Sequence, residues 1–280
     1  MRIGRIEAIV LLGGPVLFLV VFFVGPFLLM TVASLQAKGG AWTAAQYVKV
    51  ATDAYYWEIL YETFKIGLWV ALVTFVMGYA LAYYITFQVK SRLVRRVIYI
   101  VVVTPLFTSV IVRSFAWIVM LGRQGLVNQA LQATGIVSSP LSLVYSKTGV
   151  IMGLSYVLLP FMVLTVSSIL QNLNRSLLEA ARDLGASPLM AFLKITFPLS
   201  LPGVIAGSLM VFTLTVSAYV TPSIMSGGRF NVMSMLIFQQ YMVLFDYNFG
   251  AALAILLMVA TLVLMGVYVM LLERRARAAG

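Results

Sequence analysis

The sequence predicts an all-α polytopic membrane protein with six transmembrane helices. Three observations lead there. Of 280 residues, 62% are hydrophobic and only 10% are charged, whereas soluble domains carry about 25% charged residues. Six apolar runs reach the roughly 20 residues that cross a bilayer as a helix. The basic residues gather at alternate ends of those runs, as the positive-inside rule requires.

The same composition removes whole classes of function. With no cysteine and no histidine, disulfide scaffolds are excluded, and so are Ser-His-Asp and Cys-His sites. Eight carboxylates remain as strong metal ligands, too few and too scattered for an ordinary metal centre. The chain has no G-x-x-x-x-G-K-[ST] loop, so it does not cradle ATP in that way.

The first span is expected from Ala8 to about Ser34, too long for the apolar part of a signal peptide. The second runs from about Thr63 to Phe87 and is followed by Lys90, Arg92, Arg95 and Arg96. The third runs from Val97 to Leu121 and the fourth from Gly149 to Leu170. The fifth is placed at about Pro202 to Met225, and the sixth at Phe249 to Leu272. Lipid gives backbone groups no partner, so each run must be a helix. The short alternating segments of a β-barrel are not seen. Residues 1–280 thus read as a single transmembrane domain.

Six spans place both termini on one face. That face holds Arg2, Arg5, the four basic residues of 90–96, Arg175, Arg182, Lys194, Arg274, Arg275 and Arg277, which is 12 of the 19 basic residues. The other face holds five: Lys38, Lys49, Arg123, Lys147 and Arg229. The bias predicts cytoplasmic termini. It also explains much of the net charge of +11 without nucleic acid. Aromatic groups at Tyr55, Tyr56, Trp57 and Tyr61, and at Tyr241, Phe245, Tyr247 and Phe249, mark interfacial belts on the opposite side. Gly125 to Gly135 reads as a short surface helix between spans three and four. No internal repeat is visible, so an inverted-repeat carrier is not supported.

The informative loop is Gln171 to Leu201. Ser176 with Glu179 three residues later reads as a capping box, which starts a helix at Leu177. Leu177, Leu178, Ala181 and Leu184 then share one face. Gly185 suits the position just past the helix end. Ser187 before Pro188 signals a second helix, expected to stop at Thr196 before Pro198. Such a helix pair on the inner face either lies on lipid headgroups or docks in a groove of a cytoplasmic partner.

Glu179-Ala180-Ala181, then three residues, Gly185, then nine residues and Ile195-Thr196-Phe197-Pro198, resembles the E-A-A signature of ABC importer permeases. The single departure is Phe197 in place of leucine. The stretch from Leu158 to Ser187, the Pro-Gly-Val-Ile-Ala-Gly run at 202–207 and, more loosely, Arg-Ser-Phe-Ala-Trp at 113–117 are similar to the spermidine/putrescine branch. The resemblance implies a type I importer fold in the bacterial inner membrane. It implies a second permease, usually a different chain, and two ATP-binding cassette ATPases that hold ATP and magnesium, so that this chain binds no cofactor. It also implies a periplasmic solute-binding protein. The ATPase-coupling residues would be Ser176, Glu179, Ala180, Ala181, Asp183, Gly185, Ala186 and Pro188. The cargo implied is a polyamine; other small cationic or zwitterionic solutes belong to the same class.

Polar residues inside a bilayer are costly and default to functional candidates. Arg113 stands out: it snorkels toward the outer interface, or it serves a gate or pairing role, with Asp246 as a conceivable partner. No Asp or Glu falls deep in any span, which leaves a secondary carrier without coupling-ion ligands. Trp117, Tyr156 and Tyr219 are the candidate substrate-path residues, by cation–π attraction, with ordinary helix packing as the other reading. Pro160, Pro202 and Pro222 are assigned shape alone.

Overall fold

The computed structural model describes the backbone of residues 5–37 and 39–278, with side chains over 12–270 except 38, 175 and 182. Arg2 and Lys38 of the charge count lie outside the described residues, as do the side chains of Arg5, Arg175, Arg182, Arg274, Arg275 and Arg277. The helices are α1 (Arg5–Leu19), α2 (Gly25–Ser34), α3 (Ala45–Thr52), α4 (Ala54–Phe87), α5 (Arg92–Val103), α6 (Val110–Leu121), α7 (Leu126–Ala133) and α8 (Lys147–Gln171). Then come α9 (Arg175–Asp183), α10 (Pro188–Ala191), α11 (Phe197–Ser217), α12 (Val220–Met225), α13 (Met233–Met242) and α14 (Tyr247–Ala278). Among the described residues the only β-type pairing is an isolated bridge between Gln36 and Trp42. Among the described residues six stretches are long and apolar enough to cross a membrane; the third, Val110–Ala133, takes in α6 and α7 rather than the expected 97–121.

The first span is α1 and α2 joined by a π-turn at Val20–Val24. Gly25 N–H reaches back five residues to Val20 O, and Pro26 follows at once. The fifth span repeats the device. Phe197 N–H bonds Phe192 O across a π-turn at Phe192–Thr196, and Pro198 follows. Each proline follows directly on a turn of i→i−5 bonding, where the i→i−4 ladder it would interrupt is already broken. The second helix of the 171–201 segment therefore does not end at Thr196 as expected; it runs on into the fifth span.

Two further expectations are corrected. The second span begins nine residues early, because Asp53 Oδ1 accepts Tyr55 N–H at 3.0 Å and nothing from 54 to 62 breaks a helix. The third, expected unbroken over 97–121, is split. A 3₁₀ turn at Thr104–Phe107 and extended backbone at Thr108 and Ser109 separate α5 from α6. Each half has 12 residues, about 18 Å of rise, too short to cross a core of roughly 30 Å. The fifth span is likewise interrupted at Ala218 and Tyr219, so 202–225 is not one helix.

The chain divides into two compact units, Met1–Glu58 with Leu236–Ala260 and Ile59–Met235 with Thr261–Gly280. In the first, the segment after α2 is tied down by polar bonds. Ser34 Oγ donates to Thr31 O, so Tyr47 OH donates to Ser34 Oγ at 2.7 Å. Asn248 Nδ2 donates to Ala33 O at 2.8 Å. Tyr56, one of the expected belt residues, is buried edge-on against Phe249, with ring centroids 5.5 Å apart. Tyr55, Trp57 and Tyr61 stay exposed, as belt residues do.

The second unit carries the larger core, built on α4, α8 and α11. Gly203 and Gly207 let α11 lie close against α8. A Cβ on Gly207 would stand 2.5 Å from Thr165 Oγ1 and 2.8 Å from Met162 Sδ. One on Gly203 would stand 2.8 Å from Ile169 Cγ1. Small residues four apart permit this approach between helices in lipid, where packing rather than solvent exclusion joins them. Asn128 in α7 is fully buried and staples the surface segment, donating to Gly122 O and Leu141 O and accepting Leu141 N–H.

Candidate functional site

The segment between α8 and α11 forms two short helices around a glycine. α9 starts at Arg175, two residues before the expected start. Its cap is Asn174, whose Oδ1 accepts Ser176 N–H at 3.1 Å and Ser176 Oγ–H at 2.8 Å. Ser176 is thus inside the first turn, and the capping box with Glu179 does not form. Asparagine caps as well as serine, and here it stands where its oxygen meets the free N–H groups of the first turn.

At the other end Gly185 has φ +78°. Leu184 N–H bonds Ala180 O at 3.1 Å and Ala186 N–H bonds Ala181 O at 2.9 Å. The second is the 6→1 bond of a Schellman motif, which needs a left-handed residue between the two ends. Ser187 Oγ then accepts Met190 N–H, with Pro188 at the first position of α10. The apolar face of α9 is divided. Ala181 is buried and Leu178 half-buried, while Leu177 and Leu184 are exposed, Leu184 at 88%. A cleft of 320 Å³ lies between this segment and α4, lined among others by Tyr83, Leu178, Glu179, Pro188 and Phe192.

A ladder of aromatic rings, which periodicity alone did not reveal, fixes the exit of this segment to α4. Tyr79 packs on Phe192 and Phe197 with centroids 5.9 and 5.7 Å apart. Tyr83 packs on Phe192 at 5.5 Å, and Phe75 on Phe197 at 6.5 Å. Ser200 Oγ donates to Phe197 O, so Tyr79 OH donates to Ser200 Oγ at 2.8 Å. Phe197, the departure from the leucine of the signature, is a rung of this ladder. Edge-on and tilted ring pairs of this kind are worth about 0.5–1.5 kcal/mol beyond their area.

The two interrupted spans meet. α6 packs on α12, and Ser114 Oγ lies 3.5 Å from Thr221 Oγ1. Each break is satisfied by a side chain. Arg113 is buried, 8% exposed, and turns back on the 104–109 break, where its Nη1 donates to Pro105 O and to Thr108 Oγ1. It does not snorkel. Asp246 Oδ1 accepts Phe249 N–H at the start of α14. At the second break Ser234 Oγ donates to Ala218 O at 2.7 Å. Backbone opened at membrane depth persists only where it is buried in protein or lines a wet cavity. Sequence traces of the breaks exist: Pro105 and Pro222 each occupy a first helical turn, where the missing N–H is not needed. Ala218 and Tyr219 carry no such trace.

Of the aromatic candidates, Trp117 and Tyr156 come together edge-on at 5.7 Å, with Tyr156 44% exposed. Trp117 is one helical turn from Arg113 on α6. Tyr219 stands at the second break, at the start of α12. One carboxylate, Glu62, falls inside α4 because that helix starts early. Glu62 is 19% exposed and pairs with Lys147 Nζ at 2.6 Å. Among the described residues no three acidic, histidine or cysteine side chains gather as a metal site would need.

Comparison with known proteins places this arrangement. The chain is 32% identical over 216 residues to the spermidine/putrescine transport system permease protein PotB of Escherichia coli K12, which covers 77% of this chain and 78% of that one. It is 28% identical over 257 residues to the Haemophilus influenzae protein of the same name, covering 90% and 89%. In structure it superposes on a chain of a bacterial ABC transporter involved in the import of the acidic polysaccharide alginate, with a TM-score of 0.73 over 96% of this chain and 94% of that one. Their identity is 18%, so this likeness speaks for the six-span importer fold. Residues 74–277 match the family described as binding-protein-dependent transport system inner membrane component, and the chain belongs to that family.

Proposed function

We propose that the chain is a membrane-spanning permease subunit of an ATP-driven importer that moves a polyamine from periplasm to cytoplasm. The observation that carries this reading is similarity to spermidine/putrescine permeases over more than three-quarters of both chains. The chain pairs with a second permease, and each permease docks on one of two ATPase subunits. A periplasmic binding protein delivers the cargo. ATP and magnesium belong to the ATPases, and this chain binds no cofactor. The basic bias puts both termini and residues 171–201 in the cytoplasm.

The docking element in this reading is α9 with the Gly185 elbow. Exposed Leu177 and Leu184 offer apolar anchors to a groove. Glu179, Ala180, Asp183, Ala186 and Pro188 shape the surface around them, and Ser176 and Ala181 hold the helix in place. The aromatic ladder from Phe192 and Phe197 to α4 then carries a displacement of the elbow into the spans. The test is reconstitution of the complex with its binding protein in liposomes. Spermidine or putrescine is expected to stimulate ATP hydrolysis several-fold. Stimulation by an amino acid or another zwitterion, with none by either polyamine, would overturn the cargo and keep the importer class.

Within the spans, cation–π contacts replace carboxylates on this subunit. Trp117 and Tyr156 present paired rings, and such contacts are worth about 0.5–2 kcal/mol each. Tyr156→Ala is expected to lower polyamine uptake by about 2- to 30-fold, and Tyr156→Phe much less, because phenylalanine keeps the ring face. Equal loss in the two variants would show that the hydroxyl matters and would end the aromatic-face reading.

A further inference from the structure

The cationic start of α5 opens into an apolar groove. Arg92, Arg95, Arg96 and Tyr99 line one end of a 550 Å³ cleft, and Ile100, Val103, Thr104 and Phe107 line the other. The residues follow one helical stripe, three or four apart. Its character changes along the axis, from guanidinium to aromatic ring to aliphatic side chain. From Arg96 to Phe107 the backbone advances about 17 Å, close to one leaflet of a hydrocarbon core roughly 30 Å thick.

No acidic residue occurs between Phe87 and Val112, while Lys90 and Arg92, Arg95 and Arg96 do. The cationic end therefore has no carboxylate of its own segment to neutralise it. Arg95 is only partly served. Its Nη2 donates to Val89 O at 2.8 Å, and its Nε is buried without a hydrogen-bond partner among the described residues. Tyr99 is held in place at the turn of the stripe, its OH accepting from Gln171 Nε2 at 2.8 Å. The apolar end is open, with Ile100 60% and Phe107 85% exposed.

We infer that this groove is a binding site for one anionic phospholipid, with its phosphate on Arg92, Arg95 and Arg96 and an acyl chain along Ile100, Val103 and Phe107. Topology alone calls for basic residues near the inner face; it does not call for their alignment with an apolar groove on one stripe. Basic pockets on that face take anionic headgroups because each Arg adds attraction in a region of low dielectric. Guanidinium forks match phosphate oxygens in pairs, which favours arginine over lysine here. The inference rests on the cytoplasmic placement of residues 90–96 in the functional reading.

The test is lipid retention by the purified full chain in complex with its partners, read by native mass spectrometry after exchange into vesicles of equal phosphatidylglycerol and phosphatidylethanolamine. Wild type is expected to keep phosphatidylglycerol in clear preference. R92Q/R95Q/R96Q should lower that retention by on the order of 100-fold, and the corresponding triple lysine variant should recover much of it. A six-carbon phosphatidylglycerol should bind far less well than the sixteen-carbon lipid, and 10 mM inorganic phosphate should not displace the latter. Equal retention of both headgroups, full retention by the glutamine variant, or displacement by free phosphate would each overturn the assignment. The same is true if a partner chain, rather than lipid, is found covering Ile100 and Phe107 by cross-linking. Cysteine labelling of residue 91 from the periplasm would instead overturn the topology, a result distinguishable from loss of the lipid.

Discussion

Gly185→Val is expected to uncouple the transporter. The residue holds φ +78°, and no atom stands within 4 Å of the position a Cβ would take. The cost of substitution is therefore conformational and not steric. A left-handed conformation costs an ordinary residue about 1–2 kcal/mol, and a β-branched one more. Relief of that strain would break the bond from Ala186 N–H to Ala181 O and swing α10 away from α9. Transport should fall by on the order of tenfold or more, while the chain still inserts and assembles, because the elbow lies outside the spans. The substitutions should rank Asn above Ala above Val, since asparagine tolerates the left-handed region. The measurement is polyamine uptake and stimulated ATP hydrolysis per assembled complex. Wild-type transport by the valine variant would refute the elbow argument.

Gly207→Val should damage the fold itself. Here the backbone is ordinary helix and the obstacle is space: Thr165 Oγ1 would be 2.5 Å and Met162 Sδ 2.8 Å from the new Cβ. Thr165 Oγ1 is held by Phe161 O at 2.8 Å, and Met162 is fully buried in the core. Overpacking of this kind typically costs about 1–3 kcal/mol, and valine adds two methyl groups beyond the Cβ. The expected result is a lowered thermal midpoint and a poor yield of monodisperse protein in detergent. Gly207→Ala should be milder, and Thr165→Ala should rescue it in part by removing the oxygen in closest conflict, a coupling that a double-mutant cycle measures. Gly266→Ala provides the contrast, since nothing lies within 4 Å of its Cβ position. If Gly207→Val and Gly266→Ala shift stability alike, close approach of α8 and α11 is not what glycine provides at 207.

The two glycines show different degrees of legibility. Gly185 was readable from its neighbours, because a helix that ends before Ser187 and Pro188 needs a left-handed residue there. Gly207 was readable only as part of a resemblance. Its reason is Thr165 and Met162, which come from another span. Ser176 shows the converse. The pairing with Glu179 is a genuine local signal, yet Asn174 two residues earlier is an equally good cap, and the geometry of the chain leaving α8 selected it. Phe197 stands where the signature has leucine. It is a rung between α11 and α4, and nothing within the loop indicates Tyr79.

The class of the protein was legible in the order of its residues. Six apolar runs, a basic bias and the E-A-A spacing are one-dimensional properties, because burial in lipid acts on each span separately and the signature is contiguous. The elbow at Gly185 is local for the same reason. Where the spans break was not legible in the apolar pattern. Pro105 weakens the third span, and where the chain leaves the helix at Thr108 and Ser109 the side chain of Arg113 donates to Pro105 O and Thr108 Oγ1. The opening at Ala218 persists because Ser234, sixteen residues away, donates to its carbonyl. A backbone group freed in the membrane must find a partner: at the third span Arg113 of the same stretch supplies it, and at the fifth it comes from Ser234 on another helix.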